Sequence, residues 1–260
     1  MIHLRSLIVI RDRRPYRNRN AASSHVEPAR HIVRINILTC ADIDIYSAAV
    51  TYETLIFDLD GTISDPFVGI SRSVNFALES LQFAAADPEA IRPMIGPPLS
   101  EIFEHLLGPL SQEVTHDLID KYRERYTLVG YAENQIYEEI PEIIGQLSAL
   151  GYKLGVCTAK RADYARKIVE HFDLDPHFSF VDGGGTNVHK TAQLERIIAS
   201  GVDSRTAVMI GDRAGDIRAA HANKISSVGV LWGFGDHDEL SQVKPDYMAA
   251  TPPQLQAIFV

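Results

Sequence analysis

The sequence predicts an α/β protein: a doubly wound parallel-sheet core with a helical unit inserted into it. Three observations carry that expectation. Short apolar runs alternate with amphipathic stretches of helical period from about residue 141 onward. The runs end in Asp, Thr or Gly, as buried parallel strands do where they meet loops. Residues 66–135, in contrast, hold three helical stripes and no clear strand.

Taken in order, the first fifty residues read unlike the rest. RDRRPYRNRN is basic and nearly free of core residues, and AASSHVEP is loop-like. An arginine-rich, acid-poor start is the composition of a mitochondrial transit peptide or of a nucleic-acid-binding arm. The reading carried forward is a poorly ordered extension over 1–50. Core residues are expected at 51–65 and 136–260, with the helical unit at 66–135. Leu55-Ile56-Phe57 is a short buried strand that runs into acids and Gly61. Phe67, Ile70, Val74, Leu78 and Leu81 then repeat at helical spacing, as do Leu99, Ile102, Phe103 and Leu106 before Gly108. Val114, Leu118, Ile119, Tyr122 and Tyr126 form a third stripe, with Ser111 as its N-cap. Helix 141–150 follows, then strand 153–158, helix 161–172, strand 178–182, helix 190–200, strand 206–210, helix 214–222 and strand 226–231. In such a sheet, ligands bind at the carboxyl ends of the strands.

Composition narrows the function classes. The chain has 260 residues, 45% hydrophobic and 23% charged, as a soluble globular protein would. No uncharged apolar run nears the roughly 20 residues of a membrane span. Two cysteines, Cys40 and Cys157, exclude a disulfide scaffold and a multi-cysteine zinc site. A reducing, cytoplasmic setting is expected. Net charge is −9, but eight arginines against Asp12 and Glu27 give residues 1–34 a balance of +6, leaving −15 for the remainder. An acidic body argues against a nucleic-acid groove in the core, because phosphate backbones need Lys and Arg.

Four strand ends or following loops carry chemistry. FDLDGT sets Asp58 and Asp60 two apart at the end of a strand, with Gly61 letting the backbone turn closely. GDRAGD sets Asp212 and Asp216 four apart, at a strand end and on a first helical turn, so both can face one way. Acids also suit a helix N-terminus without any ligand. Carboxylates converging from two strands repel one another unless a cation sits among them, and hard oxygen ligands favour Mg²⁺. Thr158 ends its strand near an expected helix start, either as an anion-binding hydroxyl or as a plain cap. Lys190 opens a helix, where the dipole disfavours it, so a phosphate or aspartate partner is expected.

As an ordered set, these residues resemble the haloacid dehalogenase-like (HAD) phosphatase superfamily over about residues 52–258. FDLDGT looks like its first motif, Thr158 its second, Lys190 its third and GDRAGD its fourth. IGPPL, VCTAK, MIGDRAGDI and GVLWGFG resemble the branch that holds phosphoglycolate phosphatases and related 5'-nucleotidases. Thr158 is followed by Ala159, where the family commonly has Ser or Asn.

The resemblance implies a Rossmann-like core with a C1-type cap, and Mg²⁺-dependent hydrolysis of a small phosphate monoester. Asp58 would be the nucleophile and Asp60 the acid/base. Thr158 and Lys190 would hold phosphoryl oxygens, near Gly61. Asp58, the backbone carbonyl of Asp60, and Asp212 would bind the metal, braced by Asp216. An Asp at position 60 separates phosphatases from dehalogenases, which need no leaving-group protonation, and from P-type ATPases, which carry Thr there. A phosphomutase and a catalytically weak regulatory protein are the alternatives on this fold. Arg92, beside the Gly96-Pro97-Pro98 bend, is a candidate for a substrate carboxylate. Trp232 and Phe234 are read as packing residues, with base stacking the alternative. Neither a membrane nor a nucleic acid is expected as partner of the core, and the protein is expected to be a monomer or a homodimer.

Overall fold

The structure is a computed structural model and describes residues 51–184 and 189–260. The basic extension and Cys40 lie outside the described residues.

In chain order the elements are β1 (Thr54–Phe57), β2 (Ser64–Asp65), α1 (Phe67–Ser80), α2 (Pro88–Ile91), α3 (Leu99–Leu107) and α4 (Gln112–Leu128). Then come β3 (Gln135–Ile136), α5 (Ile140–Ala149), β4 (Lys153–Arg161), α6 (Ala162–His171) and β5 (Phe178–Gly184). The chain closes with α7 (Lys190–Ala199), β6 (Ala207–Gly211), α8 (Ala214–Ala222), β7 (Ser226–Val230), α9 (His237–Val243), β8 (Tyr247–Ala249) and α10 (Pro252–Phe259).

Six strands make one parallel sheet in the order β5-β4-β1-β6-β7-β8. Strand β1 is central, with Phe57 level with Val156 of β4 and Ile210 of β6. Its alternate residues feed two cores. Leu55 and Phe57 join the residues of α5, α6 and α10 on one face, and Ile56 joins those of α7 and α8 on the other. Helices on both faces explain why β1 and β6 are buried at every position. Because all six strands run the same way, Asp58, Thr158 and Asp212 arrive at one edge of the sheet.

Between β1 and α5 the chain leaves the sheet. The stripes on α1, α3 and α4 turn inward to build a separate apolar cluster around Val74, Leu78, Phe103, Leu118 and Tyr126. Ser111 caps α4, accepting from the Val114 amide at 3.3 Å. The two-residue strands β2 and β3 pair antiparallel where this helical insertion leaves and rejoins the core.

Three features depart from the sequence expectations. A fourth helix, α2, sits between the first two stripes, with Pro88 at its start and the Asp87 side chain accepting from the Glu89 amide. Strand β4 runs past Thr158 to Arg161, paired with β5 as far as Gly184 through a register shift. Helix α6 therefore begins at Ala162, and Thr158 is not at a helix start. Finally, β8, α9 and α10 extend the sheet and its helical cover beyond the last expected strand.

Candidate active site

The residue after β1, Asp58, turns one carboxylate oxygen back to the Leu59 amide at 2.7 Å. Its other oxygen pairs with Lys190 Nζ at 2.8 Å. Lys190, on the first turn of α7, also donates to Asp216, on the first turn of α8. These two acidic partners answer the lysine's unfavourable place at a helix N-terminus. Asp216 further accepts from the Arg213 amide at 3.0 Å. Asp212, following β6, accepts from the Phe234 amide at 2.8 Å and from the Thr62 hydroxyl at 3.4 Å.

Oxygens of Asp58, Asp212 and Asp216 lie within 4.8 Å of one another, and all three residues are buried. Burial raises the Asp212 carboxyl to about 8, and the charges of Asp216 and Asp58 push the same way. Burial raises Asp216 to about 6, against the pull of Lys190. Burial alone would lower the Lys190 ammonium, but Asp216 and Asp58 hold it well above its ordinary value. Three carboxyl groups thus share one ammonium in a buried site. An all-oxygen cluster with surplus negative charge fits a hard divalent cation. The backbone fits it too: Gly61 has φ +84°, and a Cβ there would fall 2.2 Å from Asp212 Oδ2.

Asp60 lies apart from that cluster. Its Oδ2 pairs with Lys160 Nζ at 2.8 Å, and its Oδ1 is buried and meets no donor among the described residues. Burial raises the Asp60 pKa, and Lys160 opposes the rise. A carboxyl raised by its surroundings and free at one oxygen is suited to hold and release a proton. Thr158 is buried at the carboxylate edge, two residues beyond the β4 partner of Phe57, and accepts from the Lys160 amide at 3.3 Å.

Some expected residues sit elsewhere. Arg92 is not drawn into the carboxylate cluster; it pairs with Glu89 at 3.0 Å, and its guanidinium lies 3.7 Å from the Phe67 ring centroid. Trp232 donates to the Thr62 carbonyl at 3.0 Å, bracing the loop after Gly61. Phe234 packs against the insertion's apolar cluster while its amide holds Asp212. Lys160 is a site residue that the sequence does not single out, because its strand also carries Lys153 and Arg161.

The comparisons agree with this geometry. The family described as haloacid dehalogenase-like hydrolase matches residues 55–230. The chain belongs to that family. A 5'-nucleotidase of Pseudomonas aeruginosa is 36% identical over 215 residues, covering 81% of this chain and 97% of the relative. A phosphoglycolate phosphatase of Colwellia psychrerythraea is 29% identical over 206 residues, covering 75% of this chain and 91% of the relative. The solved structure of Mycobacterium tuberculosis Protein Tyrosine Kinase A superposes with a TM-score of 0.69 at 30% identity, covering 80% of this chain and 99% of that one. As a haloacid dehalogenase-like phosphatase, the protein is a hydrolase of phosphate esters. Among the described residues, no helix is long and apolar enough to cross a membrane.

Proposed function

We propose that this protein is a Mg²⁺-dependent phosphatase that cleaves a small phosphate monoester through an aspartyl-phosphate. A nucleoside 5'-monophosphate is the leading substrate and 2-phosphoglycolate the second, following the relatives above. The observation that carries the reading is the division of labour among the acids. Asp58 is paired with Lys190, and Asp60 stands apart with a free oxygen.

In this reading Asp58 attacks phosphorus, and the bond to the ester oxygen breaks. Asp60 gives its proton to that oxygen, then takes one from the water that cleaves the acyl phosphate. Lys190 and Thr158 hold phosphoryl oxygens beside Asp58, with Gly61 allowing the close approach. Mg²⁺ would be held by Asp58, Asp212 and the Asp60 carbonyl, with Asp216 bracing, and would offset the negative charge of nucleophile and phosphate. Residues 66–135 act as a cap that closes over the reacting groups and excludes water.

The test is phosphate release from a panel containing several nucleoside 5'-monophosphates and 2-phosphoglycolate, with Mg²⁺ and with excess chelator. Turnover is expected only with Mg²⁺, and Asp58→Asn should lower it by at least about 10³-fold. Turnover that survives either change would overturn the mechanism, and the preferred ester identifies the substrate.

A further inference from the structure

Lys160 is a buried lysine with two partners, and each belongs to a different part of the molecule. Its ammonium pairs with Asp60 Oδ2 at 2.8 Å, and its side chain is 7% exposed. The same nitrogen donates to the Tyr126 hydroxyl at 2.9 Å, and Tyr126 lies on α4 of the insertion. Tyr126 is itself fixed. It stacks on Tyr122 with centroids 5.2 Å apart and meets Tyr164 edge-on at 5.2 Å. Tyr164 in turn shares a 2.6 Å hydrogen bond with Thr127. The extension of β4 past Thr158 is what carries Lys160 to this point.

We propose that Lys160 is the positioning residue for Asp60, and that Tyr126 holds it in place from the insertion. This rests on the phosphatase reading above. By occupying Oδ2, Lys160 leaves only Oδ1 to face the leaving group, and Oδ1 is the buried oxygen without a donor. In the step concerned, the Asp58 oxygen forms its bond to phosphorus as the ester P–O bond breaks. The bonding pair goes to the leaving oxygen, and the Asp60 proton moves onto it. The negative charge left on Asp60 then develops against the Lys160 ammonium, where it is stabilised. Because Tyr126 comes from the insertion, Asp60 is set in this orientation only when the insertion lies over the core.

Leaving-group dependence separates this role from a purely structural one. An alkyl phosphate needs its leaving oxygen protonated, whereas 4-nitrophenyl phosphate releases a stable anion without that proton. The value of kcat/KM counts only steps through the first cleavage, so it reads the acid role alone. Lys160→Met should lower kcat/KM by at least about tenfold on the preferred alkyl ester and by less than about threefold on 4-nitrophenyl phosphate. Tyr126→Phe removes one hydroxyl from a packed ring, which keeps the test open if Lys160→Met fails to fold. It should show the same selective loss at about threefold. Equal losses on both esters would overturn the assignment, as would a loss confined to the aryl ester. If the unaltered protein with Mg²⁺ turns over neither ester, the phosphatase reading itself falls, and this inference with it.

Discussion

At Asp212 a single carboxyl group sets function against stability. It is buried beside Asp58 and Asp216, and the one lysine of the cluster pairs with those two. The backbone offers Asp212 one amide, from Phe234, which is too little to offset two neighbouring charges in a dry site. Without a cation the group is driven towards its neutral form, with its pKa raised to about 8 by burial first and by the two acids next. Asp212→Asn keeps the shape and removes the charge. The metal-free variant should therefore be more stable than the metal-free parent at pH 7.5, by about 1 kcal/mol or more. Mg²⁺ should raise the melting temperature of the parent and leave that of the variant nearly unchanged, because a ligand stabilises only the state that binds it. Thermal melts of both proteins with Mg²⁺ and with chelator measure this. A variant less stable than its parent without metal would show that the acids are not in conflict.

Elements carry the second kind of information, and here the sequence was legible in part. Asp58 and Asp212 are legible because each motif is local, an apolar run giving the strand and the residue after it the carboxylate, and Lys190 is legible as a lysine at a helix start. Lys160 could not be found that way. Its meaning depends on Tyr126, 34 positions away on α4, and on β4 continuing where a helix start was expected. The surroundings of Arg92 are set by elements too: α2 places Glu89 one turn before it, and Phe67 lies beneath its guanidinium. The same limit applies to the ion cluster that ties α1 and α4 to the end of the insertion. Glu133 accepts from Arg125 at 2.8 and 2.9 Å and from Arg72 at 2.8 Å. The Arg125 hydrogen bonds, helped by Arg72 and opposed by partial burial, hold its pKa below the usual 4.5. A lowered folded-state value means stability that is present above the unfolded pKa and lost as pH falls through the folded one. Glu133→Gln should therefore cost about 1 kcal/mol in urea denaturation at pH 7. The difference from the parent should shrink as the pH drops below 4.5. A cost that stays constant across that range would assign it to packing rather than to charge.

At the scale of the whole molecule, the site is enclosed. Asp58, Thr158, Asp212 and Asp216 are buried, and the side chains of Asp60 and Lys190 are only 15% and 12% exposed. If residues 66–135 act as the cap proposed above, a phosphate ester reaches Asp58 when the insertion moves, and the contacts between insertion and core set the cost of admission. Among the described residues, three of them are side-chain hydrogen bonds. Lys160 meets Tyr126, Tyr164 meets Thr127, and Arg213 donates to the Ile95 carbonyl at 2.8 Å. The third joins the residue after Asp212 to the bend before Gly96-Pro97-Pro98, a pairing across 118 positions that no local pattern in the sequence could announce. Arg213 is held in turn by Glu239 at 3.0 Å, which also accepts from the Ala214 amide. The bend is therefore tied to the loop that carries Asp212. Arg213→Met removes this tie and preserves much of the side chain's bulk. Losing one charge-assisted hydrogen bond, about 1.4 kcal/mol, corresponds to roughly a tenfold shift towards the open arrangement. Hydrogen exchange of the amides in residues 92–99 should speed up by about that factor, while amides of β1 and β6 exchange as before. Phosphate added at saturating concentration with Mg²⁺ should slow the exchange again, since a ligand held beneath the closed insertion favours that state. Exchange unchanged by the substitution would mean that the apolar contact of Phe234 with the insertion, not the arginine, keeps this edge closed.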